Sequence, residues 1–171
     1  MAQHQRRIDR VLASDYLAGL DSSSLEDVRE MDRECAEIET ELSYVRRLAQ
    51  ARIDILEAER DRRAAGGSLG DLIAALPKIL SDDTPRADPA STRFADTDTP
   101  ATDIDFKRGL EGLISDGTLA NLPALTDDEL QTALEQLRRL EAEVSANRSA
   151  LHAVMDTLAR DLAQRLAVGK A

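Results

Sequence analysis

Two long stretches of the chain, 21–65 and 126–168, contain neither glycine nor proline, and this feature constrains the fold more than any other. In the first stretch, apolar residues recur at alternating steps of three and four, which is the heptad repeat of a coiled-coil helix. Arg52 interrupts this apolar seam, which consists of Val28, Met31, Cys35, Ile38, Leu42, Val45, Ala49 and Leu56. Each stretch is therefore predicted to form one long helix that buries one face.

Sequence signals at the ends of the two stretches agree with this prediction. Ser23 with Glu26, and Thr126 with Glu129, have the spacing of a capping box at a helix N-terminus. Shorter segments surround the long helices. The predicted segments are a short N-terminal amphipathic helix (1–20), a short helix containing Pro77 (66–80) and a short apolar helical segment (104–122).

The segment 81–103 differs in composition from the rest of the chain. It contains Pro85, Pro89 and Pro100 among many Asp and Thr residues, and Phe94 is its only large apolar residue. Such a segment buries too little apolar surface to offset the entropy lost on ordering. We therefore predict a disordered acidic, proline-containing linker.

The composition also narrows the classes of function. With two Phe, two Tyr and no Trp, the core must come from aliphatic residues, which suits helix-on-helix packing. A net charge of −11 argues against direct binding of DNA or RNA and favours a basic protein partner. The sequence offers no metal-binding spacing, no nucleophile with a base, no phosphate loop, and no apolar run long enough for a signal peptide or membrane span. We expect a cytoplasmic protein that is not an enzyme and binds no metal.

The chain contains an internal repeat. At an offset of 102, the segment 17–56 aligns with 119–158 without a gap, and ten of the forty positions are identical. The matches include a Leu-Ala-x-Leu sequence before each long stretch and a set of polar residues in its middle. This polar stripe is Glu39, Ser43, Arg46, Gln50 and Asp54 in the first copy, and Glu141, Ser145, Arg148, His152 and Asp156 in the second.

The polar stripe runs beside the apolar seam. Its spacing keeps the five side chains within roughly 80° around a helix, at heptad positions e, b and f. In an antiparallel pair, the e edge of one helix faces the e edge of the other, so both stripes lie on the same side. The predicted fold is therefore all-α: an antiparallel two-helix coiled-coil hairpin with short flanking amphipathic helices and one pseudo-twofold polar groove.

Such a groove suits an anionic ligand that is itself twofold, and cyclic dinucleotides meet that description. A guanine offers N7 and O6 to an arginine, and N1–H and N2–H to a carboxylate. Arg46 and Arg148 are candidates for base or phosphate contacts, and the four stripe carboxylates are candidates for the guanine edges. Ser43, Ser145 and Gln50 would complete the hydrogen bonds.

The pattern Glu-x3-Ser-x2-Arg-x3-Gln-x3-Asp at 39–54, with its near copy at 141–156, resembles the duplicated cyclic-di-GMP signature of the RsiG family of actinobacterial anti-sigma factors. The resemblance implies that the hairpin binds two intercalated cyclic-di-GMP molecules at the ten stripe residues. It further implies that the loaded protein sequesters one sigma factor of the WhiG/FliA type and blocks transcription of sporulation genes. His152 departs from the pattern, which has Gln there, and places an imidazole ring in the second copy.

Other interpretations remain open. Charged residues beside a heptad seam often form only solvated flanks, and a coiled-coil structural or adaptor protein without a nucleotide ligand has the same pattern. The short segments on either side of the linker either pack on the hairpin or contact a partner. Arg52 and Asn147, at core heptad positions, either fix the register or extend toward solvent. A homodimer that buries leftover residues such as Leu134 and Leu162 is a further alternative.

Overall fold

The computed structural model describes residues 7–81, 119 and 121–168, and this part of the chain contains helices and turns but no strand. The helices are α1 (Arg7–Val11), α2 (Leu25–Ala64), α3 (Leu69–Ile79) and α4 (Asp127–Val168), and single 3₁₀ turns lie at Leu20–Ser22 and Leu122–Ala124. The predicted all-α fold, with a long helix pair and shorter flanking helices, is confirmed. Within the described ranges, no helix is both long enough and apolar enough to span a membrane. The linker prediction lies outside the described residues except at Ser81, as does most of 104–122.

A capping box starts α2 one residue later than predicted. The carboxylate of Asp27 accepts hydrogen bonds from the backbone N–H of Ser24 (3.0 Å) and from its hydroxyl (2.7 Å), and Asp27 N–H donates to Ser24 Oγ (3.1 Å). The predicted pairing of Ser23 with Glu26 is wrong, because the Ser23 hydroxyl donates instead to the carbonyl of Gly19 (2.9 Å). The last of the three consecutive serines is therefore the helix cap.

Capping boxes also start α3 and α4. Glu129 accepts a hydrogen bond from the backbone N–H of Thr126 (2.8 Å), which confirms the predicted capping box of α4. Asp71 accepts one from the backbone N–H of Ser68 (2.7 Å) at the start of α3. Between α2 and α3, Gly66 has a φ of 67°, a left-handed conformation that glycine adopts without strain and that commonly ends a helix.

The N-terminal segment is less helical than predicted. α1 ends at Val11, and 12–20 continues as turns, several of them closed by i→i−3 backbone hydrogen bonds. Ser14 and Asp15 lie at this break, and short polar side chains compete with helical hydrogen bonding. The apolar face of the segment is nevertheless buried at Ile8 and Val11.

The chain divides into two compact units, and α2 and α4 contribute to both. Among the described residues, the first unit contains 7–44 and 144–168. Its buried apolar residues on the long helices all belong to the predicted seam or to its repeat at offset 102. They are Val28, Cys35, Ile38 and Leu42 of α2, and Val144, Leu151 and Leu158 of α4.

The second unit contains 45–81, 119 and 121–143 among the described residues. One buried cluster joins its long helices to the segments around them. This cluster consists of Leu56, Leu72, Leu122, Leu130, Leu134 and Leu137. Leu72 belongs to α3, so α3 packs on the long helices. The alternative in which Leu134 is left over for a homodimer does not hold for this residue, because Leu72 and Leu122 complete the cluster in which Leu134 is fully buried.

Side-chain contacts within each unit show that α2 and α4 are antiparallel. In the second unit, Arg46 pairs with Glu141, whereas Arg63, which lies further along α2, pairs with Asp127 at the start of α4. In the first unit, contacts nearer the end of α4 likewise involve residues nearer the start of α2. The direction predicted from the repeat is therefore confirmed.

At one end of the helix pair, in the second unit, Arg63 joins the last turn of α2 to the turn that precedes α4. Its guanidinium donates to the carbonyls of Leu122 (3.0 Å) and Leu125 (2.8 Å). Its Nε donates to Glu59 (2.6 Å), whose side chain is fully buried. We refer to Arg63, Glu59 and the two carbonyls as the Arg63 cluster.

A matching set of contacts lies in the first unit. Arg165, near the end of α4, donates to the carbonyls of Leu20 and Ser23 (2.7 Å each) in the turn that precedes α2, and its Nε donates to Asp161. These residues form the Arg165 cluster. Each member is displaced by 102 positions from its counterpart in the Arg63 cluster, so the internal repeat of the sequence is also a repeat of tertiary contacts.

Candidate functional site

The ten residues of the polar stripe lie on α2 and α4, beside the apolar seam as predicted. Eight of them are half-buried, whereas Glu39 is buried and Asp156 is exposed. Seven of the ten form two clusters that each join α2 to α4, one cluster in each unit. The other three, Asp54, Ser145 and Asp156, lie on the same helices, and each of them also has an interaction partner.

The Glu39 cluster belongs to the first unit and consists of Glu39, Ser43, Arg148 and His152. Glu39 Oε1 accepts a hydrogen bond from the Ser43 hydroxyl (2.8 Å) and another from Arg148 Nε on the opposite helix (2.8 Å). His152 Nε2 lies 3.5 Å from the same oxygen. The side chain of Glu39 is only 7% exposed, so these donors replace the water that a carboxylate would otherwise bind.

The pKa of Glu39 reflects two opposing effects. Burial raises it, whereas the hydrogen bonds from Arg148 and Ser43 lower it, and the net result is a pKa below the ordinary value. Glu39 is therefore ionised at neutral pH and forms a true ion pair with Arg148.

The Glu141 cluster belongs to the second unit and consists of Glu141, Arg46 and Gln50. Glu141 Oε1 accepts hydrogen bonds from Arg46 Nε (3.1 Å) and Gln50 Nε2 (3.2 Å). The side chains of Arg46 and Glu141 are 20% and 24% exposed. Solvent therefore reaches this carboxylate more readily than it reaches Glu39.

The two clusters repeat one contact pattern at the offset of the sequence repeat. In each, the arginine Nε at heptad position e donates to the glutamate at position e of the opposite helix, as the antiparallel argument requires. His152 occupies the place of Gln50, and its ring nitrogen faces the carboxylate where the Gln50 amide nitrogen does in the other cluster. The histidine therefore preserves the position of the polar group but replaces an amide with an imidazole ring.

This arrangement suits recognition of an anionic, base-bearing ligand. A guanidinium presents planar donors to phosphate oxygens or to the N7 and O6 edge of guanine, and a carboxylate accepts the N–H groups of a guanine. Each cluster contains both groups together with a further polar side chain. Among the residues that the structure describes, no group of His, Cys, Asp and Glu is arranged to hold a metal ion.

The residue pattern did not predict the Arg63 and Arg165 clusters. The repeat alignment ended at Leu56, and an extension by seven positions pairs Arg63 with Arg165 and, within the same extension, Glu59 with Asp161. The signal was therefore present in the sequence. Their acceptors are mostly backbone carbonyls, which residue identities do not reveal.

Comparison with known proteins identifies the family. Residues 14–80 and 116–171 match the family model described as RsiG-like, and these segments contain both long helices and all ten stripe residues. No curated protein matches the chain. Because the match covers most of the sequence, the chain belongs to the RsiG-like family.

Proposed function

We propose that this protein is an anti-sigma factor that binds cyclic-di-GMP at its polar stripe and, when loaded, sequesters a sigma factor of the WhiG/FliA type. Membership of the RsiG-like family, which is regulatory and not catalytic, supports the anti-sigma role. The proposed binding of cyclic-di-GMP rests on one observation, the repeated ion pair of the polar stripe. This ion pair joins Arg148 to Glu39 and Arg46 to Glu141.

The chemistry of each cluster suits one guanine and one phosphate of cyclic-di-GMP. Cyclic-di-GMP has two guanines and two phosphates, and each cluster supplies one guanidinium and one carboxylate. In this proposal Arg46 and Arg148 contact bases or phosphates, and the stripe carboxylates accept guanine N–H groups. The remaining stripe residues complete the hydrogen bonds, and the family resemblance implies that two ligand molecules bind.

The net charge of −11 supports a basic partner and does not prevent binding of an anionic ligand. Charges more than about 8 Å apart are largely screened at physiological salt, so the nearby arginines dominate at contact distance. The acidic chain as a whole suits the basic surfaces with which a sigma factor contacts promoter DNA. We propose a 1:1 complex with the sigma factor and no direct contact of this chain with DNA or RNA.

Size-exclusion chromatography of the protein mixed with a WhiG/FliA-type sigma factor, with and without cyclic-di-GMP, tests the proposal. We expect a 1:1 complex only when cyclic-di-GMP is present, and its loss in the variants Arg46→Ala and Arg148→Ala. Arg47→Ala is the matched control, because Arg47 is an exposed arginine of α2 outside the stripe. A complex that forms equally without nucleotide would favour a coiled-coil adaptor, and absence of any complex would contradict the anti-sigma role.

A further inference from the structure

A heptad seam alone does not determine how far one helix is shifted along the other. If α4 slides by seven residues, about 10 Å at 1.5 Å per residue, apolar positions again face apolar positions. The ion pairs of the polar stripe, however, exist in one register only. A shift of this size would separate Arg46 from Glu141, which are 3.1 Å apart, and would remove that part of the stripe.

The Arg63 cluster forms in one register, and this register is the one that the stripe needs. Arg63 lies seventeen residues beyond Arg46 along the chain, and Leu125 lies sixteen residues before Glu141. In an antiparallel pair these two separations nearly cancel, so the Arg63–Leu125 contact and the Arg46–Glu141 contact occur together. The turn that accepts from Arg63 precedes α4 and does not recur every seven residues.

The Arg165 cluster has the same relation to the Glu39 cluster. Arg165 lies seventeen residues beyond Arg148, and Ser23 lies sixteen residues before Glu39. Each arginine cluster lies in the same unit as the stripe cluster whose register it shares. The side chains of Arg63 and Arg165 are only 19% and 24% exposed, so a shifted register would leave partly buried guanidinium groups without these acceptors.

We propose that Arg63 and Arg165 are positioning residues that fix the antiparallel register in which the two halves of the polar stripe form. Arg63 sets the register of the Glu141 cluster, and Arg165 sets that of the Glu39 cluster. Neither arginine needs to touch the ligand. The consequence for ligand affinity rests on the proposed function, whereas the consequence for register does not.

Distances between spin labels test the register without any ligand. The labels are placed at the exposed positions Arg47→Cys of α2 and Arg139→Cys of α4, both in the second unit, in a background with the buried Cys35 replaced by Ala. We expect one distance population in the labelled protein that keeps Arg63. In the labelled Arg63→Gln variant, we expect a second, displaced population. Arg63→Lys keeps the charge but not the planar fork of donors, so its displaced population should be smaller than that of Arg63→Gln. If Arg63→Gln loses helicity, the distances in Arg63→Lys show whether Arg63 fixes the register.

Two control variants distinguish an effect on the helix register from the effects of losing a positive charge or of losing stability. Arg60→Gln removes an exposed arginine of the same helical turn whose hydrogen bonds go to Asp61, and Leu72→Ala weakens the core of the same unit. Both should keep a single distance population. A single population in Arg63→Gln and Arg63→Lys as well would overturn the proposal.

Titration with cyclic-di-GMP then tests the functional consequence. Compared at equal helicity, Arg63→Gln should weaken binding at least tenfold, whereas Leu72→Ala should leave it unchanged. Unchanged affinity in Arg63→Gln would overturn the positioning role at this site. Absence of binding to the unaltered protein would instead contradict the proposed function, and the distance populations would still decide the register.

Discussion

The two stripe arginines should differ in their contribution to stability although they occupy equivalent places in the repeat. Arg148→Ala leaves Glu39, which is only 7% exposed, as a nearly buried carboxylate that has lost its cation. Breaking a buried ion pair in this way costs about 3–5 kcal/mol, and the remaining contacts of Glu39 with Ser43 and His152 reduce the expected loss to about 2–3 kcal/mol. Arg46→Ala leaves a more solvated carboxylate, because Glu141 is 24% exposed, and the expected loss is about 1 kcal/mol or less.

Urea unfolding monitored by circular dichroism measures this difference. With a slope of about 1–3 kcal/mol per molar urea, Arg148→Ala should lower the unfolding midpoint by about 1 M, and Arg46→Ala by less than half as much. The double variant Glu39→Gln with Arg148→Ala should recover much of the loss, because no buried charge remains. Equal losses for the two arginine variants, or no recovery in the double variant, would refute this reasoning.

Three further results are expected. Hydrogen bonding to Arg62 lowers the pKa of Glu59 to about 2 from an ordinary value of 4.5. Ionised Glu59 therefore stabilises the fold fully above pH 4.5, and this stabilisation is lost as the pH falls toward 2. In Glu59→Gln, the free energy of unfolding measured as a function of pH should vary less between pH 4.5 and 2. Gly66→Ala should cost about 1 kcal/mol in thermal unfolding because alanine is strained at a φ of 67°, whereas Gly19→Ala, at a φ of −98°, should cost less. Burial raises the pKa of the Cys35 thiol to about 11, so a thiol reagent at pH 8 should label Cys35 only after unfolding, and rapid labelling of the folded protein would contradict its place in the core.

The long helix pair could be predicted from the sequence because local signals agree with each other. Heptad spacing, the absence of glycine and proline, and the capping box of Thr126 and Glu129 all indicate the same helices. The antiparallel direction followed from the position of the stripe at heptad position e. The meeting of Arg46 with Glu141 and of Arg148 with Glu39 is what this geometry requires.

Other features depend on tertiary packing that residue patterns do not specify. Any of three consecutive serines could cap the start of α2. Ser24 is the cap because its backbone N–H and its hydroxyl donate to the carboxylate of Asp27. In a two-helix hairpin alone, Leu134 would lie outside the apolar seam. In the structure it is buried, because Leu72 and Leu122 pack in the same cluster. The acceptors of Arg63 include backbone carbonyls, whose positions depend on the fold of the turn and not on which side chains it carries.

Calorimetric titration of the protein with cyclic-di-GMP, with cyclic-di-AMP and GTP as controls, tests the central claim most directly. The two cross-helix clusters predict that cyclic-di-GMP binds and that neither control does. They also predict that Arg46→Ala and Arg148→Ala abolish binding while the circular dichroism spectrum remains that of a helical protein. Absence of heat with cyclic-di-GMP, both alone and in the presence of a WhiG/FliA-type sigma factor, would contradict the account.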